Sequence, residues 1–575
     1  MNNHLEEAEA QIHYWPWSCE INAESRNLTN EIVESPFLGS PIITLSEKAE
    51  LFLSSRMERF RPLGYTYGSG YQVYDTPHGI LTGTNDSKKL KIRTSKGIFE
   101  VSFNIQGAAK RYIDSKSDNK TRQDSQIARY LLAWSQVFDD LLDNAHKTRG
   151  KYTSEIMWSE VIDLLENLRK DLKQPRMAII VRISEAMRKR LPEIVSTARR
   201  ILLRDRDLIP VHRIQESDSS CLRWYVRQPG KTMPTKAGHK QRLLGVVRRE
   251  SFNTLENQIL KDFIFRCRYE VARYLKGDIS SQHVSSSRAI MVQGFKHICN
   301  THVLNPIFEQ VSKPSHGVQP NYVLQNDSRY REIWYWYRKL LKRENEEDDL
   351  WDWQPRTWAD VMRLLIGAAL ELLHGQKKEN LKIRDGFVFE PLVNAPFNLT
   401  VEQERGCRLV AGSLPGPFQI TRIINGQHKE KMVIELVHPD LASNHQIVQH
   451  IGRVGGHLYM VVHPLGANKI SKNIIIFWSV NGAGVDHGIN IRKMARSAFE
   501  ALKQHSTILN LRREFPILRG MIVASTLNER DELVFMRKRN SLPVLTVNAD
   551  PRTWRQAIDS LSTAISALLE QCYEH

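Results

Sequence analysis

The sequence is poor in cysteine and lacks long apolar runs. Its 575 residues include only six cysteines: Cys19, Cys221, Cys267, Cys299, Cys407 and Cys572. None belongs to a Cys-x-x-Cys pair, which argues against a thiol zinc site and against a disulfide framework. No run of about 18 apolar residues occurs, so no transmembrane helix is predicted. The first residues carry Glu6, Glu7 and Glu9 without a basic cluster, unlike a secretory or transit peptide. These absences predict a cytoplasmic protein with no membrane partner.

Several catalytic motifs are also missing. The chain has no Walker sequence and no Gly-x-Ser-x-Gly, and the loop 481–488 lacks a proper Gly-x-Gly-x-x-Gly. No ATPase activity and no bound cofactor are therefore predicted. Five histidines cluster late in the sequence: His438, His445, His450, His457 and His463. Their spacing matches no zinc pattern, which favours strand-end or surface histidines over a metal site.

Charge is the strongest positive feature of the sequence. The formal net charge is +17, and residues 182–249 hold 17 Lys and Arg against 6 Asp and Glu. Such a field attracts polyanions, and arginines interleaved with aromatic rings suit stacking on bases. The predicted nucleic-acid-binding residues are Arg199, Arg200, Arg204, Arg223, Trp224, Arg227, Lys231, Arg248 and Arg249. A solvated basic face, or an interface with an acidic protein, is the alternative interpretation.

The residue pattern predicts an α+β multidomain protein. Short alternating segments, among them Ile98–Phe103, indicate a β-rich domain over residues 1–115. Residues 116–380 form a helical, basic middle. Within it, two helical stretches flank an acidic loop, Glu344–Asp349. From residue 381 to 575, short apolar strands and interspersed helices indicate a mixed α/β domain.

A well-marked helix begins near residue 253 in the basic middle. Asn253 is a suitable N-cap, and Glu256 three residues later completes a capping-box pattern. Apolar side chains then repeat every four residues from Leu255 to Val271. Arg248 and Arg249 immediately before the cap would add to the partial positive charge of the helix N-terminus.

These segments resemble a known prokaryotic family. The carrying runs are Cys221–Trp224, Arg227–Thr232 and Arg248–Lys261, which contains the phrase Thr-Leu-Glu-Asn. They are similar to the uncharacterised-domain family related to McrC-like subunits of restriction systems, over about residues 190–480. The resemblance implies a defence role beside an ATPase or helicase, and a C-terminal domain resembling the restriction-endonuclease fold of PD-(D/E)xK type.

The C-terminal domain meets the requirements of that nuclease only in part. The chemistry needs an Asp on one strand and an acidic-x-Lys on the next, to hold a divalent metal and position water. Glu435 fits the second carboxylate, but Val437 stands where the Lys belongs, and Lys431 is a shifted substitute. No Asp lies between Leu409 and Ile434. A degenerate nuclease fold is therefore favoured, and Mg²⁺ is expected only if the site is active.

Three functions follow in order of preference. The first is a DNA-binding component of an antiviral or anti-plasmid defence system that acts with a partner ATPase, helicase or nuclease. The second is an active metal-dependent nuclease that uses Glu435. The third is a scaffold that binds another protein through the basic middle without nucleic acid. The incomplete nuclease motif favours a chain that is not itself an enzyme.

Overall fold

A computed structural model of the protein gives its fold. The described residues are 10–13, 17, 25–27, 32–35, 42–46, 48–53, 64–65, 72–75, 90–105, 130–142, 155–170, 175, 178–277, 279, 284–315, 317–352, 354–375, 386–393, 397–404, 407–409, 412–425, 427–439, 456–465, 473–481, 487–510, 517–526, 532–534 and 541–573. Among the helices in these ranges, none is long and apolar enough to cross a bilayer.

The chain forms two compact units. One contains residues 1–172 together with 345–575, and the other contains residues 173–344. The fold is mixed α/β, as the sequence indicates. The two domain limits drawn from the sequence, at residues 115 and 380, stay predictions.

Short strands make up the described part of the N-terminal region. They are β1 (Ala10–His13), β2 (Ser25–Asn27), β3 (Ile32–Ser35), β4 (Ile42–Leu45), β5 (Glu50–Leu53), β6 (Gly64–Tyr65), β7 (Gln72–Asp75), β8 (Leu90–Thr94) and β9 (Gly97–Ile105). One sheet has the order β2-β1-β4-β7-β6 and a second the order β3-β9-β8-β5. The β-rich character predicted for this region is confirmed for these residues.

Two helices and a short strand follow. They are α1 (130–142), β10 (Glu155–Ile156) and α2 (Trp158–Lys170). Apolar residues of both helices, such as Trp134 and Leu165, belong to the same core as the C-terminal sheet. The indole of Trp134 also donates to the carbonyl of Ala549 at 2.8 Å. These two helices therefore pack as part of the larger unit.

The second unit is helical apart from one pair of strands. Its elements are α3 (Ile179–Met187), α4 (Arg190–Ser196), β11 (Ile201–Pro210), α5 (Ser219–Arg227), α6 (Met233–Lys236), β12 (Arg242–Ser251), α7 (Leu255–Gly277), α8 (Ser287–Val303), α9 (Tyr322–Asn326) and α10 (Ser328–Asp352), which runs past the unit's limit. The predicted four-residue repeat of α7 is confirmed, because Ile259, Phe263, Cys267 and Val271 are fully buried. They pack with α3, α4, α8 and α10 in one core.

Two sequence expectations for this unit are wrong. The sequence predicts helical or irregular structure for residues 201–203 and 242–250, but they belong to β11 and β12. It predicts a loop for the acidic segment Glu344–Asp349, but this segment continues α10. In both places the local charge pattern hides the element, because charged residues carry no clear period of two or of 3.6.

The C-terminal region is built on one sheet of eight strands. They are β13 (Gly386–Pro391), β16 (Phe418–Ile424), β17 (Gln427–Val437), β18 (Leu458–Leu465), β19 (Asn473–Asn481), β20 (Ile517–Thr526), β21 (Glu532–Val534) and β22 (Val544–Asn548). Strand β14 (Phe397–Glu404) lies between β10 and β15 (Cys407–Leu409) in a separate sheet of three strands. The order is β13-β16-β17-β18-β19-β20-β22-β21, antiparallel from β13 to β19 and parallel from β19 to β22.

Helices cover both faces of this sheet. They are α11 (Gln354–Gly375), α12 (His487–Asn510) and α13 (Trp554–Tyr573). Ile475 and Phe477 of β19 join the core formed with α11 and α13. On the other face, Trp478 meets Trp17 edge-on at 5.7 Å, and the Trp17 indole donates to Ser497 of α12 at 3.1 Å. A sheet buried on both faces explains the continuous apolar runs of these strands.

A buried carboxylate ties α11 to this region. Asp360 accepts from the Arg363 guanidinium at 2.5 Å and from the backbone amides of Arg408 and Leu409 at 2.6 and 3.1 Å. Burial raises the pKa of Asp360, while Arg363 and the two amides oppose that rise. Several donors on one buried acid are the arrangement that a buried charge requires.

A candidate interaction arm

The two strands of the helical unit form a ribbon that we call the arm, residues 201–251. Strand β11 pairs antiparallel with β12 in one unbroken register, from Ile201 opposite Ser251 to Pro210 opposite Arg242. The 31 residues between the strands, 211–241, contain α5 and α6 and form the tip. Residues 201–208 and 248–251 form the stem.

The tip has a small core of its own. Cys221 and Ala237 of the tip are buried there together with Leu243 and Val246 of β12. Gly245 allows close packing, because a Cβ at this position would lie 2.8 Å from Cδ1 of Ile209. Asp218 caps α5 by accepting from the amides of Ser220 and Cys221 at 3.1 and 2.9 Å. The tip is thus held by local contacts.

The stem, by contrast, is exposed on both faces of the ribbon. Residues 202–208 are all exposed, although successive side chains of a strand point to opposite faces. The apolar side chains are no exception, since Leu202 is 63%, Leu203 48% and Leu208 46% exposed. A two-stranded ribbon without a covered face is marginal in water by itself. Leu202 and Leu208 therefore lie on one face of the ribbon and Leu203 on the other, and both faces carry apolar side chains without cover in the described part of the chain.

The cations of the stem are paired with nearby carboxylates. Glu216 binds both Arg204 and Arg248, the second at 3.2 Å. Arg249 pairs with Asp207, and Arg200 with Glu250 at 3.1 Å. Arg206 binds Asp218 at 2.6 Å. The Arg206 guanidinium and the Cys221 amide hold the pKa of Asp218 well below its usual range. The stem therefore offers much less free positive charge than its composition suggests.

Free cations are found mainly on the tip. Within the described residues, five exposed cations of the tip and its base have no side-chain partner: Arg213, Arg227, Lys231, Lys240 and Arg242. The Arg223 guanidinium donates a hydrogen bond to the carbonyl of Ser219 at 3.3 Å. Apolar side chains stand among them, with Val226 72%, Leu222 55% and Met233 45% exposed. The tip is thus both basic and apolar.

A buried polar network anchors the root of the arm, and Arg199 is its central residue. The backbone amide of Arg199 donates to the Tyr330 hydroxyl at 2.8 Å, and its carbonyl accepts from the Asn257 amide at 2.7 Å. Its guanidinium binds Glu256 at 2.6 Å. The Asn257 amide also donates to the carbonyl of Phe252 at 2.8 Å. The Asn257 side chain therefore holds the chain both before β11 and after β12.

The same network is closed by α9 and α10. The Tyr330 hydroxyl donates to Oδ1 of Asn257 at 2.9 Å, and the Asn321 amide donates to Glu256 at 2.7 Å. Burial acts to raise the pKa of Glu256. The pKa of Glu256 is nevertheless held below its usual value. The causes are hydrogen bonds from its own backbone amide, from Asn321 and from Thr254, and the charge of Arg199. Glu256 is therefore a buried anion whose charge is fully compensated.

The structure changes the expected start of α7. The sequence predicts Asn253 as the N-cap, but Thr254 stands directly before the helix and its Oγ1 accepts from the amide of Asn257 at 3.4 Å. The side-chain oxygen of Asn253 instead accepts from the amide of Ser312 at 3.1 Å. Because the Asn253 oxygen also accepts from the Ser312 hydroxyl at 3.0 Å, it is occupied outside the helix, and Thr254 takes the capping position.

Several predicted binding residues have other environments than expected. Arg199 belongs to the root, and Arg200, Arg204, Arg248 and Arg249 have the ion pairs described above. Arg248 and Arg249 lie within β12 and do not directly precede the helix.

The remaining predicted residues lie on the tip. Arg223, Trp224 and Arg227 belong to α5, where the sequence predicts a loop, and Lys231 follows it. Trp224 is half-buried. Nucleic-acid binding by all nine residues stays a prediction.

Sequence reasoning missed the roles of Glu256, Asn257 and Tyr330. Glu256 and Asn257 stand in the segment Thr-Leu-Glu-Asn at residues 254–257, but the sequence alone explains this segment as the capped start of a helix. Its partners at Arg199, Asn321 and Tyr330 are 57 to 73 residues away along the chain. Such distant pairing leaves no trace in a local pattern.

The nuclease candidate Glu435 lies half-exposed on β17. Its carboxylate is 3.8 Å from Nε2 of His463 on β18. His438 is buried, and Nδ1 of His457 accepts from the amide of Ser479 at 3.0 Å, while His445 and His450 lie outside the described residues. Across the ranges that the structure describes, no group of three acidic, His or Cys side chains could hold a metal. A catalytic role of Glu435 stays a prediction.

A family model matches the part of the chain that contains the arm. Residues 134–337 match the model of a domain of unknown function, DUF2357, a range that contains the whole arm and its root. No curated protein matches the chain.

One solved structure is a half-complex of the Thermococcus gammatolerans McrB AAA+ hexamers with bound McrC. It is similar at 9% identity and a TM-score of 0.16, over 80% of each chain. At that TM-score the likeness carries no argument about fold or function.

Proposed function

We propose that the protein is a subunit of a prokaryotic defence assembly and that the arm is the element that docks on a partner subunit. The observation that carries the proposal is the stem, where apolar side chains are exposed and the neighbouring cations already have partners. The resemblance of residues 190–480 to McrC-like restriction proteins supports the defence role.

Energetics favour a protein as the occupant of the stem. Covering Leu202 and Leu208, which share a face and are about half exposed, would contribute on the order of 1 kcal/mol each. Phosphates would gain little there, because the carboxylate of Glu216 lies between Arg204 and Arg248 and offsets part of the positive charge that a phosphate would meet. A protein partner can cover the leucines and leave the ion pairs at the rim.

Substitutions in the stem test this proposal. Leu202→Asp with Leu208→Asp places charge on the apolar surface, and Leu304→Asp is the matched control, since Leu304 is 81% exposed outside the arm. Each variant is co-expressed with the tagged products of the flanking genes, and the co-purification of each product is measured. We expect the stem variant to lose the partner and the control to keep it. Retention of the partner by the stem variant would refute the proposal.

DNA binding by the tip is the second candidate function. It is favoured by the exposed cations Arg213, Arg227, Lys231, Lys240 and Arg242, which have no side-chain partner among the described residues. When cations of this kind bind DNA phosphates, counterions condensed on the DNA are released, and this makes affinity depend on salt. Here the tip, and not the stem, would carry the binding predicted from composition.

A salt series on a labelled duplex tests the tip. Arg227→Ala with Lys231→Ala should lower the slope of log affinity against log salt by about 0.9 for each phosphate that the variant no longer neutralises. Arg204→Ala with Arg248→Ala is the matched control, because these two cations already bind Glu216. A flat salt response of the unchanged protein, or an equal decrease of the slope in the two variants, would exclude DNA binding by the tip.

A further inference from the structure

We propose that the exposed face of α7 is a binding surface for single-stranded nucleic acid. The face is formed by Phe265, Tyr269, Ala272 and Lys276, which follow one another at intervals of four, three and four residues. Residues at such intervals lie on one side of a helix. Phe265 is 44% and Tyr269 65% exposed. Two rings therefore stand one turn apart, about 6 Å along the axis.

The packing of α7 in its unit does not depend on these two rings. The opposite face of α7 is complete, with Ile259, Phe263, Cys267 and Val271 fully buried in the unit's core. The two rings are thus additional to the stripe that holds the helix in place. Exposed aromatic rings in a row mark interaction surfaces more often than single exposed apolar residues do.

Cations stand on both sides of the rings. Arg268 is three residues from Phe265, and Arg273 is four residues from Tyr269. Arg273 pairs with Glu270 at 3.1 Å. Arg268 is exposed and, in the part of the chain that the structure describes, has no side-chain partner. The surface therefore combines flat apolar rings with positive charge available for an anion.

Single-stranded nucleic acid fits this combination. Aromatic rings stack on bases, and cations beside them contact the phosphates. In a duplex the bases are already stacked inside, so their faces are not available to Phe265 and Tyr269. A membrane surface fits less well, because interfacial helices present a broad apolar face with Leu or Trp, and this row ends in Ala272 and Lys276.

The binding of a labelled oligo(dT) of about 20 nucleotides to the full-length protein tests the proposal. Phe265→Ala or Tyr269→Ala should weaken binding by about fivefold or more, and the double variant by about 25-fold. Tyr269→Phe keeps the ring and should bind like the unchanged protein. The matched control is Tyr322→Ala, since Tyr322 is 78% exposed on α9 and should leave binding unchanged.

The salt dependence separates rings from charges. Arg268→Ala should reduce the salt slope by about 0.7, the value of one contact to single-stranded phosphate, while the ring variants should keep the slope. Unchanged binding in the double ring variant would overturn the proposal. So would loss of binding to anionic lipid vesicles, but not to oligo(dT), in that variant. The effect of the ring variants on oligo(dT) binding should be the same fold-change in a chain that also carries Arg227→Ala and Lys231→Ala, so the two surfaces can fail independently.

Discussion

Replacing Asn257 by alanine should loosen the root of the arm. The side chain makes three hydrogen bonds, two as donor to the carbonyls of Arg199 and Phe252, and one as acceptor from the Tyr330 hydroxyl. A net contribution of about 1 kcal/mol for each bond, and the cost of leaving the buried Tyr330 hydroxyl without an acceptor for its proton, give an expected loss of about 3–4 kcal/mol. The loss should fall on the arm first, because its two ends share this amide.

Hydrogen exchange measured by mass spectrometry reads this effect locally. The free energy of opening of peptides that cover β11 and β12 should fall by about 3–4 kcal/mol. The free energy of opening of peptides from the core of the C-terminal sheet should not change. Asn253→Ala is the matched control, since Asn253 binds Ser312 at the same helix start and, among the described residues, has no hydrogen bond to Arg199. Protection of the arm unchanged within about 0.5 kcal/mol would refute the role of the network.

A double-mutant cycle sharpens the test. Tyr330→Phe removes the hydroxyl that accepts from the Arg199 amide and donates to Asn257. Residues of one hydrogen-bond network are coupled, so the two variants together should cost less than the sum of their separate losses, by about 1 kcal/mol. Strict additivity would mean that Asn257 and Tyr330 stabilise the root independently.

Three further predictions concern charge and packing. The pKa of Glu256 is held below its usual value, so its stabilising charge is present above the unfolded pKa and is lost as pH falls through the folded one. The protection factors of the arm, which are corrected for the pH dependence of intrinsic exchange, should therefore fall with acid, and Glu256→Gln should flatten that profile. Gly367→Ala should destabilise the protein by about 1–3 kcal/mol in urea unfolding, because a Cβ there would lie 2.4 Å from the indole of Trp158. Its control Gly294→Ala meets nothing within 4 Å and should stabilise α8 by about 0.5–1 kcal/mol. Asp360→Ala leaves Arg363 buried and should cost about 3–5 kcal/mol in the same assay, a loss that Arg363→Met in the same chain should partly restore.

The C-terminal strands and the long helices could be predicted from the sequence. Strands β16 and β19 are rich in Ile, Val and Phe and are largely buried, and such runs are distinct even without a partner. The stripe of α7 is equally plain. In each of these elements the order of apolar and polar residues follows the burial pattern, so the local sequence predicts the element.

The arm could not be predicted in the same way. Its stem is exposed on both faces, so β11 lacks the alternation of polar and apolar residues that marks a half-buried strand. Its arginines were correctly counted as a basic cluster, but their partners Glu216 and Asp218 lie in the tip and come close only when the ribbon forms. Composition can give the charge of a segment; only the fold decides how much of that charge is free.

The length of the ribbon gives the root network a mechanical consequence. Ten residues of strand extend about 30 Å from Arg199 and Phe252 to the tip, at about 3.3 Å per residue. On a lever of that length, a rotation of about 2° at the root displaces the tip by about 1 Å. The accuracy with which the tip meets any target is therefore set far from the contact, by the few hydrogen bonds around Asn257.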